Sequence, residues 1–287
     1  MLPRKPMLIL RRSIFAILAL GLSLAAYGYF TAISEPIVRR ATIALPDWPE
    51  GEPPLRVVLL SDLHVDGPDT PPSRIVRLVG QVNALSPDVV LLAGDFVGDK
   101  PISTGRYTPD EGLAPLRGLR PRLGTYAVLG NHDEPVAAAV AAALRRAGVR
   151  LLRNEAVRVG PLSIGGIEDL WSGRADLALT ASRMRALGGA RLLLSHNPDV
   201  FTHLPPDLTL ALAGHTHCGQ IRLPLVGAPV TFSSYGDRYA CGQVEEHGRR
   251  LVVTAGIGNS IAPVRIGTAP DLWLLELRPA GARSPQR

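Results

Sequence analysis

Gly214-His215-Thr216-His217 closes an apolar run, Leu208–Ala213, and holds two of the chain's seven histidines one residue apart. The run reads as a buried strand. Its glycine is expected to let the backbone turn sharply at the strand end. Both imidazoles can then project from one loop and reach two neighbouring metal ions.

Four other segments repeat the design of an apolar run followed by a polar donor. Leu55–Leu60 leads into Ser61-Asp62-Leu63-His64, and Val89–Ala93 into Gly94-Asp95. Tyr126–Leu129 leads into Gly130-Asn131-His132-Asp133, and Leu192–Leu194 into Ser195-His196. In open α/β sheets, sites form beyond the carboxyl ends of the strands. The pattern therefore gathers Asp62, Asp95, Asn131 and five histidines in one crevice, leaving out His203 and His247.

At 287 residues the chain fits one large domain or two small ones, with ample length for a core. Arg4, Lys5, Arg11 and Arg12 supply four charges of the net +6, so the rest is near balance. No basic run is interleaved with aromatics, and no nucleic-acid partner is expected. Residues 13–34 carry no charge, and Ile14–Ile33 would span ~30 Å as a helix, enough for a bilayer. The basic flank should keep the N-terminus in the cytoplasm and the body outside. Arg11-Arg12-Ser13-Ile14-Phe15 also looks like a twin-arginine export signal. The alternative is a cleaved signal peptide with small residues near Ser23–Ala26. The reading adopted is an uncleaved single-pass anchor in a bacterial cytoplasmic (inner) membrane, because the apolar stretch is long.

The organisation expected is an anchor over 1–36, a connector over 37–54, a catalytic domain over 55–279 and a disordered tail over 280–287. Ser73 should cap a helix carrying Ile75, Leu78, Val79 and Val82. Residues 99–112 should form a polar loop, and Asp133 should cap a helix over Glu134–Ala147. Arg150–Asn154 and Leu162–Gly166 read as strands, Ala175–Leu187 as a helix and Ala190–Ser195 as a strand. Late strands Tyr239–Glu245, Leu251–Ala255 and Leu272–Leu277 should make a mixed α/β sheet.

Carboxylate, imidazole and one amide oxygen suit Mn, Fe, Zn or Co, with no thiolate required. Two such ions about 3.5–4 Å apart clamp the attacking and leaving oxygens of a phosphoryl displacement. The pair needs a bridging carboxylate, and Asp95 is the natural candidate. Asp62-x-His64, Gly94-Asp95, Gly130-Asn131-His132-Asp133, His196 and Gly214-His215-Thr216-His217 together resemble the calcineurin-like metallophosphoesterase signature, in the family's order. Gly214–Gln220 and the stretch Gly256-Ile257-Gly258…Pro263-Val264-Arg265…Pro270 resemble its bacterial membrane-associated phosphodiesterase-like branch.

The resemblance implies two packed mixed β-sheets flanked by helices. It implies one metal on Asp62, His64, Asp95 and His217, and another on Asp95, Asn131, His196 and His215. A metal-bridging hydroxide would be the nucleophile, and His132 would protonate or stabilise the leaving oxygen. The substrate would be a phosphodiester or a phosphomonoester, with the diester favoured, and the anchor is compatible with a lipid-linked one. The competing readings are a scaffold that has lost catalysis and a nuclease of the same fold.

Other residues take plainer readings. Asp66 and Asp69 should be surface loop. Asp133 or Asp99 could orient His132, and Arg265 is read as structural before substrate-binding. Gln220 could touch a ligand or brace its loop. Tyr107, Trp171 and Tyr235 are core or rim. Cys218 and Cys241 could pair in an oxidising compartment or remain free thiols.

Overall fold

Val57 and Leu59 belong to one apolar cluster and Val58 and Leu60 to another, the alternation of a strand covered on both faces. The same split recurs at Leu210 and Leu212 against Ala211 and Ala213. In the computed structural model, which describes residues 4–281, these alternations build two stacked sheets. In chain order the elements are α1 (Arg4–Ala32), β1 (Ile37–Leu45), β2 (Leu55–Leu60), α2 (Pro72–Ala84), β3 (Val89–Ala93), α3 (Pro109–Leu113), β4 (Thr125–Val128), α4 (Ala137–Arg146) and β5 (Val149–Leu151). Then follow β6 (Glu155–Val159), β7 (Leu162–Gly166), α5 (Leu177–Leu187), β8 (Ala190–Leu194), β9 (Leu210–Ala213), β10 (Gly242–Glu246), β11 (Arg249–Val253) and β12 (Asp271–Pro279).

The first sheet has the order β1-β12-β2-β3-β4-β5 and the second β10-β11-β9-β8-β7-β6. Both are mixed: β2, β3, β4 and β5 run parallel, whereas β12 is antiparallel to β2. The central core lies between the sheets, where Leu59, Leu91, Leu194 and Leu212 meet. Outside the first sheet, α2 and α4 contribute Ile75, Val82, Val140 and Leu144. Outside the second, α5 contributes Ala181 and Met184. The expected α/β sandwich is therefore present, and the parallel strands β2, β3, β4, β8 and β9 end at one edge.

Several boundaries differ from the sequence reading. The segment read as a connector contains β1, which pairs in parallel with β12 along its full length, from Ile37–Asp271 to Leu45–Pro279. Its apolar signal is short, since only Ile43 and Leu45 are buried. α2 begins at Pro72 after Pro71, not at a Ser73 cap; the two prolines preset the entry. Inside the expected polar loop, Thr108 and Glu111 form a reciprocal capping box that starts α3. The helix expected from Glu134 begins as a 3₁₀ turn and becomes α-helical at Ala137. β5 is shorter than expected and β6 was not foreseen. β12 starts one residue earlier and ends two residues later than the strand read at Leu272–Leu277, and it lies antiparallel to β2 in the first sheet. Of the tail read as disordered, residues 282–287 lie outside those described.

Because β1 closes the sheet edge, a chain beginning at Leu55 should be much less stable than one beginning at Tyr27. Exposing Ile43 and Leu45 alone accounts for roughly 3–6 kcal/mol. Urea unfolding of the two truncations checks this; equal midpoints would show that β1 is dispensable.

Candidate metal centre

Each donor foreseen in the sequence stands just past a strand end. Asp62 and His64 follow β2, Asp95 follows β3, and Asn131 and His132 follow β4. His196 follows β8, and His215 and His217 follow β9. The first sheet thus supplies one half of the cluster and the second the other. Hydrogen bonds join the halves: His215 N–H donates to Asp62 Oδ2 at 3.0 Å, and His196 Nδ1 meets Ala93 O at 2.7 Å. Gly214 is needed for a reason other than a turn. A Cβ there would sit 1.8 Å from Ser61 Oγ and 2.5 Å from Asp62 Oδ2, so the glycine permits the close approach of two loops.

Asp62, His64, Asp95, His215 and His217 all have left-handed backbone, with φ of 52°, 41°, 55°, 70° and 50°. Such conformations cost of order 1–3 kcal/mol each and gather where function requires them. Here they turn the side chains of five positions inward. Asp62, His64, Asp95, His196 and His217 are almost wholly buried.

Two donor groups result: Asp62, His64 and His217, and Asp95, His196 and His215. His64 Nε2 lies 3.2 Å from His217 Nε2, and His217 Nε2 lies 3.6 Å from Asp62 Oδ1. His215 Nδ1 and Asn131 Oδ1 lie 3.0 and 3.1 Å from His196 Nε2. Asp95 Oδ2 stands between the groups, 3.5 Å from His64 Nε2 and 3.2 Å from His196 Nε2. Its other oxygen accepts from His132 N–H at 2.9 Å.

The electrostatics fit a cation. Burial pushes His64 and His215 down to about 3, and burial with His64 and the Arg265 guanidinium holds His217 well below its usual value. These rings are neutral, the form that ligates metal, yet their nitrogens face one another. Burial opposes charge on His196 too, but the charge and hydrogen bond of Asp95 raise it to about 10. Burial likewise opposes ionised Asp95, and His196 followed by His64 holds it far below the usual range. Burial lifts Asp62 to about 6. Without metal, a proton on His196 therefore offsets a buried carboxylate, a role that a cation among the same donors can take over. Outer partners already fix the rings: His196 Nδ1 meets Ala93 O at 2.7 Å and His215 Nε2 meets Phe232 O at 3.2 Å.

His132 stands apart. It is partly exposed, and its Nδ1 donates to Asp99 Oδ1 at 2.8 Å. Asp99, not Asp133, is thus the residue that orients it. A third group, His64, Asp95 and His132, also has metal-ligand spacing, so His132 has to be distinguished from a ligand by experiment.

Asp133 does not cap its helix. It is buried, and its carboxylate accepts from the N–H groups of Asp95, Phe96, Val97 and Gly130 at 2.8–3.2 Å. Burial first, then Asp95, raises it to about 7. It ties the loop of Asp95 to the loop of Asn131. Asp133→Ala would leave three buried donors and a partly buried one without an acceptor and should cost at least ~3 kcal/mol. Urea unfolding at fixed pH would show it; a change under 1 kcal/mol would mean that the amides find other partners.

Asp66 and Asp69 are not surface residues. Both are buried, and Lys100, also buried, places Nζ 3.3 Å from Asp69 Oδ1 and 3.9 Å from Asp66 Oδ2. Asn259 donates to Asp69 at 2.6 Å and accepts from Arg265 Nε at 2.9 Å. Arg265 also donates to the carbonyls of Ala255 and Gly258 and lies 3.5 Å from His217 Nδ1. It is the structural brace expected of it. Gln220 braces as well, donating to Ala262 O and Val264 O. Trp171 stands on the rim with its ring 4.5 Å from that of His215. Tyr107 packs on the outer core, and Tyr235 is exposed near Tyr239. Cys218 and Cys241 form a disulfide, resolving the open alternative. Asp169, not singled out in the sequence, accepts from Trp171 N–H at 2.8 Å and holds the turn that carries that ring.

This arrangement agrees with relationships across known proteins. A calcineurin-like phosphoesterase family profile matches residues 55–219. The chain belongs to the calcineurin-like phosphoesterase family. It is 34% identical over 243 residues to phosphodiesterase YaeI of Escherichia coli (strain K12), covering 78% of this chain and 82% of that protein. It is 31% identical to the transmembrane protein with metallophosphoesterase domain of Danio rerio, covering 94% of this chain but 63% of that one. The chain thus spans less than two thirds of that longer relative. The metallophosphoesterase YkuE of Bacillus subtilis (strain 168) is 28% identical, with 93% and 96% covered.

Proposed function

We propose that the chain is a dinuclear metal-dependent phosphodiesterase. One site would be held by Asp62, His64, Asp95 and His217, the other by Asp95, Asn131, His196 and His215. The observation that carries this reading is Asp95 Oδ2, which faces both donor groups at once. When bound, two divalent cations supply Lewis acidity, neutralising phosphoryl charge and lowering the pKa of water. The chain's own residues do the rest. Water adds to phosphorus and loses a proton, and the ester P–O bond breaks. The leaving alcohol takes a proton from an acid on the chain, and the proton lost by the water restores that acid. His132 is placed to be that acid: Asp99 holds Nδ1, which leaves Nε2 for the leaving oxygen.

The side chains around the opening are Asp95, Asn131, His132, Trp171, His215, His217, Phe232 and Ser260, with no Arg or Lys among them. A singly charged diester suits such a rim better than a doubly charged monoester. The full donor set argues against a scaffold, and the absence of Arg and Lys from the described lining of the opening argues against a nuclease. Purified protein loaded with Mn, Fe, Zn or Co should hydrolyse a chromogenic diester faster than the matching monoester or single-stranded DNA. Chelation should stop it. Faster monoester or DNA cleavage would reassign the substrate.

We further propose that the body lies outside a bacterial cytoplasmic membrane. Leu8–Ala32, the apolar part of α1, is 25 residues long with mean hydropathy 1.9, and residues 8–27 are exposed. Arg11 and Arg12 stand near its start, and the Cys218–Cys241 disulfide suits an oxidising compartment. The name of the Danio rerio relative supports a membrane setting. The twin-arginine route is the export path that Arg11-Arg12 suggests. Protease added to intact spheroplasts should digest the body; full protection with active protease would reverse the orientation.

A further inference from the structure

Beside the metal centre the surface turns apolar. A groove of about 280 Å³ is lined by Ile221, Pro229, Val230, Phe232, Ile261 and Val264, and no charged side chain enters it. Its inner end includes Thr216, the residue between His215 and His217, and Phe232, which also borders the metal centre. Groove and centre therefore share Phe232 as a common wall.

The outer end is joined to α1. Arg265 N–H donates to Gly28 O at 2.9 Å, and a Cβ on Gly28 would lie 2.4 Å from Val264 Cγ1. One wall of the groove thus packs on the last turns of the apolar helix. Leu8–Ala32 is about 37 Å long at ~1.5 Å per residue, against a hydrocarbon core of about 30 Å. If the helix spans, Gly28 lies at the boundary between acyl chains and headgroups. Tyr27 and Phe30 of the helix are exposed, as are Val230 and Ile261 of the groove lining and Leu225 and Val226 in the loop between Ile221 and Pro229. Exposed apolar residues clustered beside a binding groove mark an interaction site, and the junction of the groove wall with the apolar helix favours lipid as what covers it.

Resting on the phosphodiesterase reading above, we infer that this groove takes an acyl chain of a membrane phosphoester lipid and seats its phosphate at the metal centre. The substrate enters sideways from the bilayer surface. The disulfide closes the segment from Cys218 to Cys241, and Thr216 Oγ1 donates to Ala240 O at 2.6 Å. Both hold the outer wall in place beside the ligands.

Two measurements test it. The first uses full-length, metal-loaded protein and 4-nitrophenyl alkyl phosphodiesters from ethyl to decyl, each below its aggregation concentration. The leaving group is constant, so only the tail varies. kcat/KM should rise about 2–4-fold per added methylene until the groove is filled, from the transfer preference of a methylene group. The double variant Val230→Glu/Ile261→Glu should flatten that slope. A flat wild-type series with the ethyl ester turned over would overturn the lipid inference and leave the phosphodiesterase reading standing. If no ester is turned over, that reading fails instead. The second measurement needs no turnover: phosphatidylglycerol with a diazirine at its acyl terminus, in phosphatidylethanolamine vesicles, is photolysed with full-length protein. Label within residues 221–232 and 261–264 is expected, beside unavoidable label on α1. Label confined to α1 would overturn the inference. So would a groove shielded by a second copy, seen as a dimer by light scattering.

Discussion

Asp95→Asn should remove metal from both sites at once. The wild-type chain should carry about two divalent ions. The variant keeps the shape of the side chain and one oxygen but loses the charge that both donor groups face. Hydrolysis of a chromogenic diester should fall by well over ~10²-fold, since outer partners of metal ligands alone are worth 10–100-fold. Occupancy should drop in step, which inductively coupled plasma mass spectrometry reads directly. A variant retaining two ions per chain would refute the bridging role. A variant losing only one would make Asp95 a ligand of a single site.

His132→Ala should behave differently. The ring is partly exposed, and its Nδ1 is occupied by Asp99. Metal content should stay near the wild-type value while turnover falls ~10²–10⁴-fold, the usual contribution of a positioned acid or base. The loss should shrink as the leaving group improves, because a good leaving group needs no proton. Asp99→Asn should give a smaller loss of the same character. Equal loss of metal in His132→Ala would instead place His132 among the ligands, as its spacing to His64 and Asp95 permits.

The donors were legible because parallel strands announce themselves as apolar runs, and the residue after each run lies at a shared sheet edge. Five such runs in order specify both a fold and a crevice. What escaped was long-range or locally bland. β1 carries Arg39 and Arg40 among its apolar residues and is stabilised by β12, more than 200 residues later. Arg39 pairs with Asp271 across that ladder. Asp66, Asp69 and Lys100 look like loop polars, and only folding shows that they are buried together against Asn259. Asp133 has the position of a helix cap, but four backbone amides from two loops compete for its carboxylate more effectively than one helix end. Two cysteines 23 residues apart cannot reveal their separation in space. The groove was invisible because its walls, near 221–232 and 261–264, are not periodic.

The central claim is that one carboxylate joins two metal sites built from two sheets. Anomalous X-ray scattering from crystals of the manganese-loaded protein tests it most directly. The account expects two peaks: one within ligand distance of Asp62, His64, Asp95 and His217, the other within ligand distance of Asp95, Asn131, His196 and His215. A single peak, or a pair that Asp95 does not share, would contradict it.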